Sequence, residues 1–207
     1  MARYLEVHPD DPQPRSIAQT VAVVREGGLV AYPTDSGYAL GAAVGNTEAV
    51  GRIRDIRRLD ARHHYTLVCA DFAQLGQLVK LDNSAFRAIK AATPGPYTFI
   101  LPATAEVPRR LAHPKKKSVG VRIPDHRVVA ALLRELGEPL LSSTLILPGE
   151  TEPLTDGIAA AAALDGAVDI VLDDGRTSGP EPTTVVDWSE GYPQIVREGA
   201  GDPGRFA

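Results

Sequence analysis

The stretch Ala31-Tyr-Pro-Thr-Asp-Ser-Gly-Tyr-Ala-Leu-Gly41 decides how the rest of the chain reads. The apolar residues 29–32 predict a short strand that ends at Pro33, whose missing N–H cannot extend a ladder. A polar turn follows, and residues 38–44, rich in small side chains, predict the next strand. Thr34, Asp35 and Ser36 carry short oxygen-bearing side chains that bond either the local backbone or a ligand. Gly37 and Gly41 allow close backbone approach. On these residues alone, the segment reads as an ordinary tight turn or as the lip of a binding site.

Outward from this hairpin, strands and helices alternate loosely. Upstream, residues 3–7 predict a strand, and residues 17–26 a helix capped by Ser16 and stopped by Gly27 and Gly28. Downstream, Thr47 is positioned to cap a helix reaching about residue 59. A strand at 66–69 and helices at 72–79 and 84–92 come next. Strands at 97–101 and 118–123 precede an amphipathic helix at 127–136, ended by Gly137. A strand at 140–146, an Ala-rich helix at 155–164 and strands at 168–172, 183–187 and 194–197 complete the pattern. Nine or so strands around five or six helices predict a single α/β (α+β) domain over residues 5–200. Its large, twisted, mixed open sheet would be flanked by helices. Residues 201–207 read as a C-terminal tail.

The composition supports one self-sufficient core: 207 residues, 43% hydrophobic and 23% charged. A single cysteine, Cys69, excludes an internal disulfide framework and a thiolate-built zinc site. The adjacent His63 and His64 rarely reach one metal from a regular element, so no metal site is expected. No apolar run approaches a membrane span, and the N-terminal residues lack a basic segment followed by an apolar one. The expected location is cytoplasmic, with no membrane partner. The net charge of −4 hides a strong asymmetry: residues 52–134 hold 16 Lys and Arg against 6 Asp and Glu. Residues 135–207 hold 3 against 14. Either the middle of the chain handles an anion, or opposite surfaces attract within the fold.

Other segments place polar groups where chemistry is possible. Pro94-Gly-Pro96 stiffens the approach to a strand and brings Thr98 to its start. Arg122, in Gly120-Val-Arg-Ile-Pro-Asp-His126, interrupts an apolar strand; buried, it needs an anionic partner, and on an exposed face it needs none. Arg54, Arg57 and Arg58 share a helix face. With Arg62, Arg109, Arg110, Lys115, Lys116 and Lys117 they form basic clusters suited to phosphates, or solvated faces. Few aromatic residues interleave them, which excludes a stacking platform for single-stranded bases. No P-loop, dinucleotide fingerprint or HExxH motif is present.

Taken in order, AYPTDSGYALG, PGPYTFIL, GVRIPDH, TTVVD and IVREG resemble the YrdC-like family, whose best-known members are threonylcarbamoyl-AMP synthases. The chain is most similar to the YciO branch. The resemblance spans roughly residues 5–200. It implies a twisted open sheet around a deep, positively charged central cavity. It implies a reaction of bicarbonate, L-threonine and ATP, carried in with Mg²⁺, to give threonylcarbamoyl-adenylate and pyrophosphate for t6A modification of tRNA. No permanently bound cofactor is implied. Transferred by motif, Thr34 would contact the threonine-like acid and Arg122 its carboxylate, with Tyr38 and Ser142 beside them. Arg57, Arg58, Thr98, Thr144, Thr183 and Arg197 would face ATP or AMP. The basic residues Arg54, Arg62, Arg109, Arg110, Lys115, Lys116 and Lys117 would serve double-stranded RNA or tRNA.

Two family motifs are altered. Where the synthases carry Lys-x-Arg, this chain has Arg57-Arg58-Leu59. Where they carry Ser-x-Asn, it has Thr144-Leu145-Ile146. Each lost phosphate-directed donor is worth about 2.7–4 kcal/mol of transition-state stabilisation. The expectation is a weak or altered synthase, or a nucleotide- or RNA-binding protein that has shed the chemistry. Arg58, Arg62, His63 and His64 are the candidates to compensate.

Overall fold

The computed structural model describes residues 2–60 and 63–206. In chain order the elements are β1 (Arg3–Glu6), α1 (Pro14–Arg25), β2 (Val30–Thr34), β3 (Gly37–Ala43) and α2 (Thr47–Arg57). β4 (Thr66–Val68), α3 (Phe72–Leu78), α4 (Asn83–Ala92), β5 (Tyr97–Pro102) and β6 (Ser118–Arg122) follow. α5 (Arg127–Leu136), β7 (Leu140–Thr144), α6 (Gly157–Ala163), β8 (Ile170–Asp173), β9 (Thr184–Asp187) and β10 (Gln194–Arg197) complete the set, with a 3-10 turn at Pro203–Phe206. No helix among the described residues is long and apolar enough to cross a membrane.

All ten described strands join one mixed sheet in the order β1-β8-β2-β3-β7-β4-β6-β5-β9-β10. The hairpin β2–β3 lies inside it, pairing Val30 with Gly41 through Thr34 with Gly37. Both edge strands are four residues long and largely exposed. Edge strands this short resist pairing with other chains.

Side-chain alternation divides the sheet into two faces. One face is buried along its whole width: Tyr38, Leu40, Leu67, Phe99, Val121 and Leu141 pack with Ile53 of α2, Leu75 of α3 and Ile89 of α4. The other face is covered over only part of its width. There α1 and α5 lay Val21, Val24, Val128 and Leu132 on Val30, Tyr32, Ile170 and Leu172. Helix α5 can do this because Val128, Val129, Leu132, Leu133 and Leu136 form one apolar stripe. Beyond that helix pair, the second face of β7, β4, β6, β5 and β9 lines a cavity of about 490 Å³.

Several element ends differ from the sequence expectation. Helix α1 starts at Pro14, where the missing N–H is harmless, and Ser16 lies inside its first turn. Asn46, not Thr47, caps α2 by accepting from the Ala49 N–H. Asp156 caps α6, which begins at Gly157. Pro33 lies within β2; at this point the parallel partner β8 pairs only with Val30 and Ala31, so no ladder bond is lost on that side. Of the residues expected as a tail, Phe206 is 5% exposed. Its ring meets Tyr97, Phe99 and Trp188 edge-on, closing the core under β5 and β9.

Candidate functional site

The cavity floor follows from strand parity. Residues two apart on a strand share a face, so Tyr32 and Thr34 of β2, Thr98 and Ile100 of β5, and Ser142 and Thr144 of β7 all line it. Gly120 of β6 keeps the floor low; a Cβ there would sit 3.4 Å from Thr66 Oγ1 and 3.6 Å from Thr98 Cγ2. The rim comes from other elements: Arg57 at the end of α2, His63, His64 and Tyr65 before β4, and His113 and Lys116 before β6.

At the hairpin end, Thr34 is 3% exposed and its hydroxyl organises the turn. It donates to the Gly37 carbonyl (2.6 Å) and accepts from the Ser36 N–H (3.1 Å). Gly37 takes φ +88°, and a Cβ there would meet Pro153 at 2.6 Å, so the turn requires glycine. The turn also aims Asp35 at Arg122, which is buried (7% exposed) and ion-paired to it. The other Asp35 oxygen accepts from the Asp125 N–H at 3.1 Å. Burial lowers the pKa of the Arg122 guanidinium, and Asp35 opposes that shift. Arg122 Nε and the Tyr65 hydroxyl are buried without a hydrogen-bond partner among the described residues. Both belong to cavity-lining side chains, and buried polar atoms of this kind ordinarily have partners. Tyr32 and Ser142 share a hydrogen bond of 2.7 Å. Burial raises the Tyr32 phenol to about 12, so it stays protonated.

Across the floor, Thr98 and Thr183 hydroxyls lie 2.9 Å apart. The Thr183 carbonyl accepts from Arg197 Nε (3.0 Å) and Nη2 (2.8 Å). Burial, and after it the charge of Arg122, holds Arg197 below the ordinary arginine range. Two guanidinium groups that repel each other across a shared hollow make a site for an anion.

Most residues expected at the site do line this one cavity: Thr34, Arg122, Ser142, Arg57, Thr98, Thr144, Thr183 and Arg197, with Lys116 from the basic clusters. Tyr38 does not. It occupies an even position of β3, opposite in parity to Ala39, and its fully buried hydroxyl donates to Asp173 Oδ1 at 2.7 Å in the helix-covered core. Arg58 does not either. It is exposed at the left-handed C-cap of α2 (φ 50°). Leu59 packs on the core, so the altered Lys-x-Arg motif contributes only Arg57 to the cavity. Arg54, Arg109, Arg110, Lys115 and Lys117 are exposed outside the lining, with Arg110 bonded to the Gly45 carbonyl. Arg62 lies outside the described residues. Tyr32, Tyr65 and His113 line the cavity but were not among the expected site residues. Alternation back from Thr34 would have found Tyr32; the others depend on contacts remote in sequence.

Fold and site together define a class: an open mixed sheet whose half-bare face forms a hydroxyl- and arginine-lined hollow. The family model Sua5_yciO_yrdC, described as telomere recombination, matches residues 22–199, and the chain belongs to that family. It is 46% identical to YciO of Escherichia coli (strain K12) over 202 residues, 98% of either chain. The crystal structure of E. coli YciO superposes with a TM-score of 0.95 at 45% identity, covering 100% of both chains. Threonylcarbamoyl-AMP synthase of Bacillus subtilis (strain 168) is 32% identical over 94% of this chain and 55% of its own length. P. abyssi Sua5 complexed with L-threonine gives a TM-score of 0.86 at 29% identity, over 95% of this chain and 57% of the other.

Proposed function

We propose that the cavity binds ATP or AMP beside a threonine-like small acid, and that the protein is a weak or altered L-threonylcarbamoyl-adenylate synthase linked to t6A modification of tRNA. The observation that carries this reading is the convergence of Thr34 and Arg122 with Thr98, Thr183 and Arg197 in one cavity. The similarity to a Sua5 complexed with L-threonine supports it. In this reading Arg122 Nε receives the acid's carboxylate while Asp35 holds the rest of the guanidinium in place. The threonine amine and bicarbonate first condense to the carbamate, with loss of water. A carbamate oxygen then attacks the α-phosphorus of ATP, which enters as its Mg²⁺ complex, and pyrophosphate leaves. The protein's part is to hold both reactants together and to stabilise charge on the phosphate oxygens. Arg57 and Arg197 supply cationic donors for that purpose. Ile146 lines the cavity where the synthases carry an asparagine, and the loss of that donor predicts a reduced rate.

Pyrophosphate release from ATP, measured with and without threonine and bicarbonate, tests the reading. Release that depends on both, and rises in Ile146→Asn, supports it. Release in neither protein rejects it.

A second reading rests on a separate observation. Arg54, Arg109, Lys115 and Lys117 are exposed and form none of the ion pairs found among the described residues. Such a surface suits the phosphate backbone of double-stranded RNA or tRNA, in a protein that has lost the synthase chemistry. Affinity for tRNA falling steeply with salt, together with no pyrophosphate release, would favour it.

A further inference from the structure

The outer end of the cavity differs chemically from its floor. Arg57 Nη1 donates to Ser143 Oγ at 2.6 Å, and the same oxygen lies 3.4 Å from His63 Nε2. The His63 ring packs edge-on against Tyr65, with centroids 5.2 Å apart. The neighbouring His64 ring meets His113 at 5.0 Å. His113 Nδ1 accepts from the Lys115 and Lys116 N–H groups at 3.2 and 3.0 Å. Those two bonds make Nδ1 the acceptor of the ring and leave Nε2 as its donor. The Lys116 ammonium is already paired with Asp187 (3.2 Å) and Glu190 (3.5 Å).

We propose that this outer end is a polyphosphate subsite in which His63 takes up a proton from solvent as the anion binds, beside the cation Arg57 and the imidazoles of His64 and His113. The subsite rests on the reading that the cavity takes a nucleotide, and it extends that reading to the leaving pyrophosphate. The groups facing His63 are Arg57 from α2, its neighbour His64, Tyr65, Ser143 from β7 and the carboxylate of Asp60. Burial, then Arg57, then His64 hold the His63 imidazole below its ordinary value; Asp60 acts the other way but does not cancel them. Near neutral pH the ring is therefore largely uncharged. A phosphate placed among these groups reverses the balance, because it attracts the charge that Arg57 and His64 repel. Binding then carries protons onto the protein, and affinity rises as pH falls through the imidazole range. Imidazoles thus stand where the altered motifs lack phosphate-directed side chains.

The test is calorimetric titration of inorganic pyrophosphate into the full-length protein at pH 7, in two buffers of different ionisation heat. The wild type is compared with His63→Gln, His64→Gln and the double variant. The ligand's own ionisation is common to all and cancels in the difference. The subsite predicts more protons taken up per pyrophosphate by the wild type than by the double variant. It also predicts an affinity loss in the double variant of at least tenfold at pH 6 and clearly less at pH 8. His64→Gln alters an exposed ring that helps hold the His63 imidazole down, so it should lower the proton count and keeps the test valid should His63→Gln fold poorly. Equal proton counts and equal pH dependence, or no pyrophosphate binding by the wild type, would overturn the subsite. AMP titrated in parallel separates the two ideas. AMP binding without histidine-linked pyrophosphate binding rejects the subsite alone. Histidine-linked pyrophosphate binding without AMP binding supports the subsite and rejects the nucleotide reading.

Discussion

At the scale of single residues, Arg122 and Asp35 bear most of the functional argument. A buried guanidinium deprived of its carboxylate is an uncompensated charge, and breaking such a pair costs about 3–5 kcal/mol. Asp35→Ala is expected to lower unfolding stability by that amount in urea. Arg122→Met removes the charge and keeps the volume, so it should fold with a smaller loss while abolishing binding of the small acid. Asp173 supplies a second test. Burial pushes its carboxyl up, but hydrogen bonds from the Tyr4 hydroxyl, the Gly175 N–H and the Tyr38 hydroxyl outweigh burial and leave it below the usual carboxylate range. A depressed folded value means stability that is present above the unfolded pKa and lost as pH falls through the folded one. The penalty of Asp173→Asn, read from urea midpoints, should be full at pH 7 and shrink below about pH 4. Thr34 and Arg122 were legible in the sequence because a polar turn and a lone cation in an apolar strand are local signals. The parity of Tyr38 was not, because the resemblance carries motifs and not faces. Nor was the Asp35–Arg122 pair, whose members stand far apart in the chain.

At the scale of elements, the cavity exists because β6 carries Gly120 at its floor while β7, β5 and β9 carry hydroxyls beside it. Strand positions were largely readable from alternation and turn residues, as the match of β5 and β6 to residues 97–101 and 118–123 shows. Helix starts were less so: Asn46 and Thr47 are both good caps, and only the backbone bond to Ala49 separates them. Gly120→Leu should leave β6 intact, since an added Cβ meets only ordinary contacts. The rest of the side chain would project into the hollow. Thermal unfolding is expected to change little, whereas ATP binding, measured by calorimetry, should be lost.

For the whole molecule, the decisive feature is unequal coverage of the two sheet faces. One face is sealed by α2, α3 and α4, and the other is only partly sealed by α1 and α5. Neither this asymmetry nor the strand order was legible, because six of the nine strand neighbours are not consecutive in sequence. Composition predicted a sizeable core and a cationic middle segment, and the structure shows how that charge divides. Arg57, Arg122 and Lys116 turn to the cavity, while Arg54, Arg109 and Lys115 stay outside it. The C-terminal residues belong to the same core. Phe206→Ala should destabilise the fold by about 3–5 kcal/mol, as truncation of a buried aromatic does, and should show as a lowered urea midpoint.

The account stands on the helix-free half of the sheet being a single binding hollow for a nucleotide and a small acid. Calorimetric titration of Mg–ATP, in the presence of L-threonine and bicarbonate, into the wild type, Gly120→Leu and Arg122→Met tests this most directly. Saturable binding to the wild type, lost in Gly120→Leu and no longer enhanced by threonine in Arg122→Met, is the predicted result. Equal binding by all three folded proteins would contradict the account.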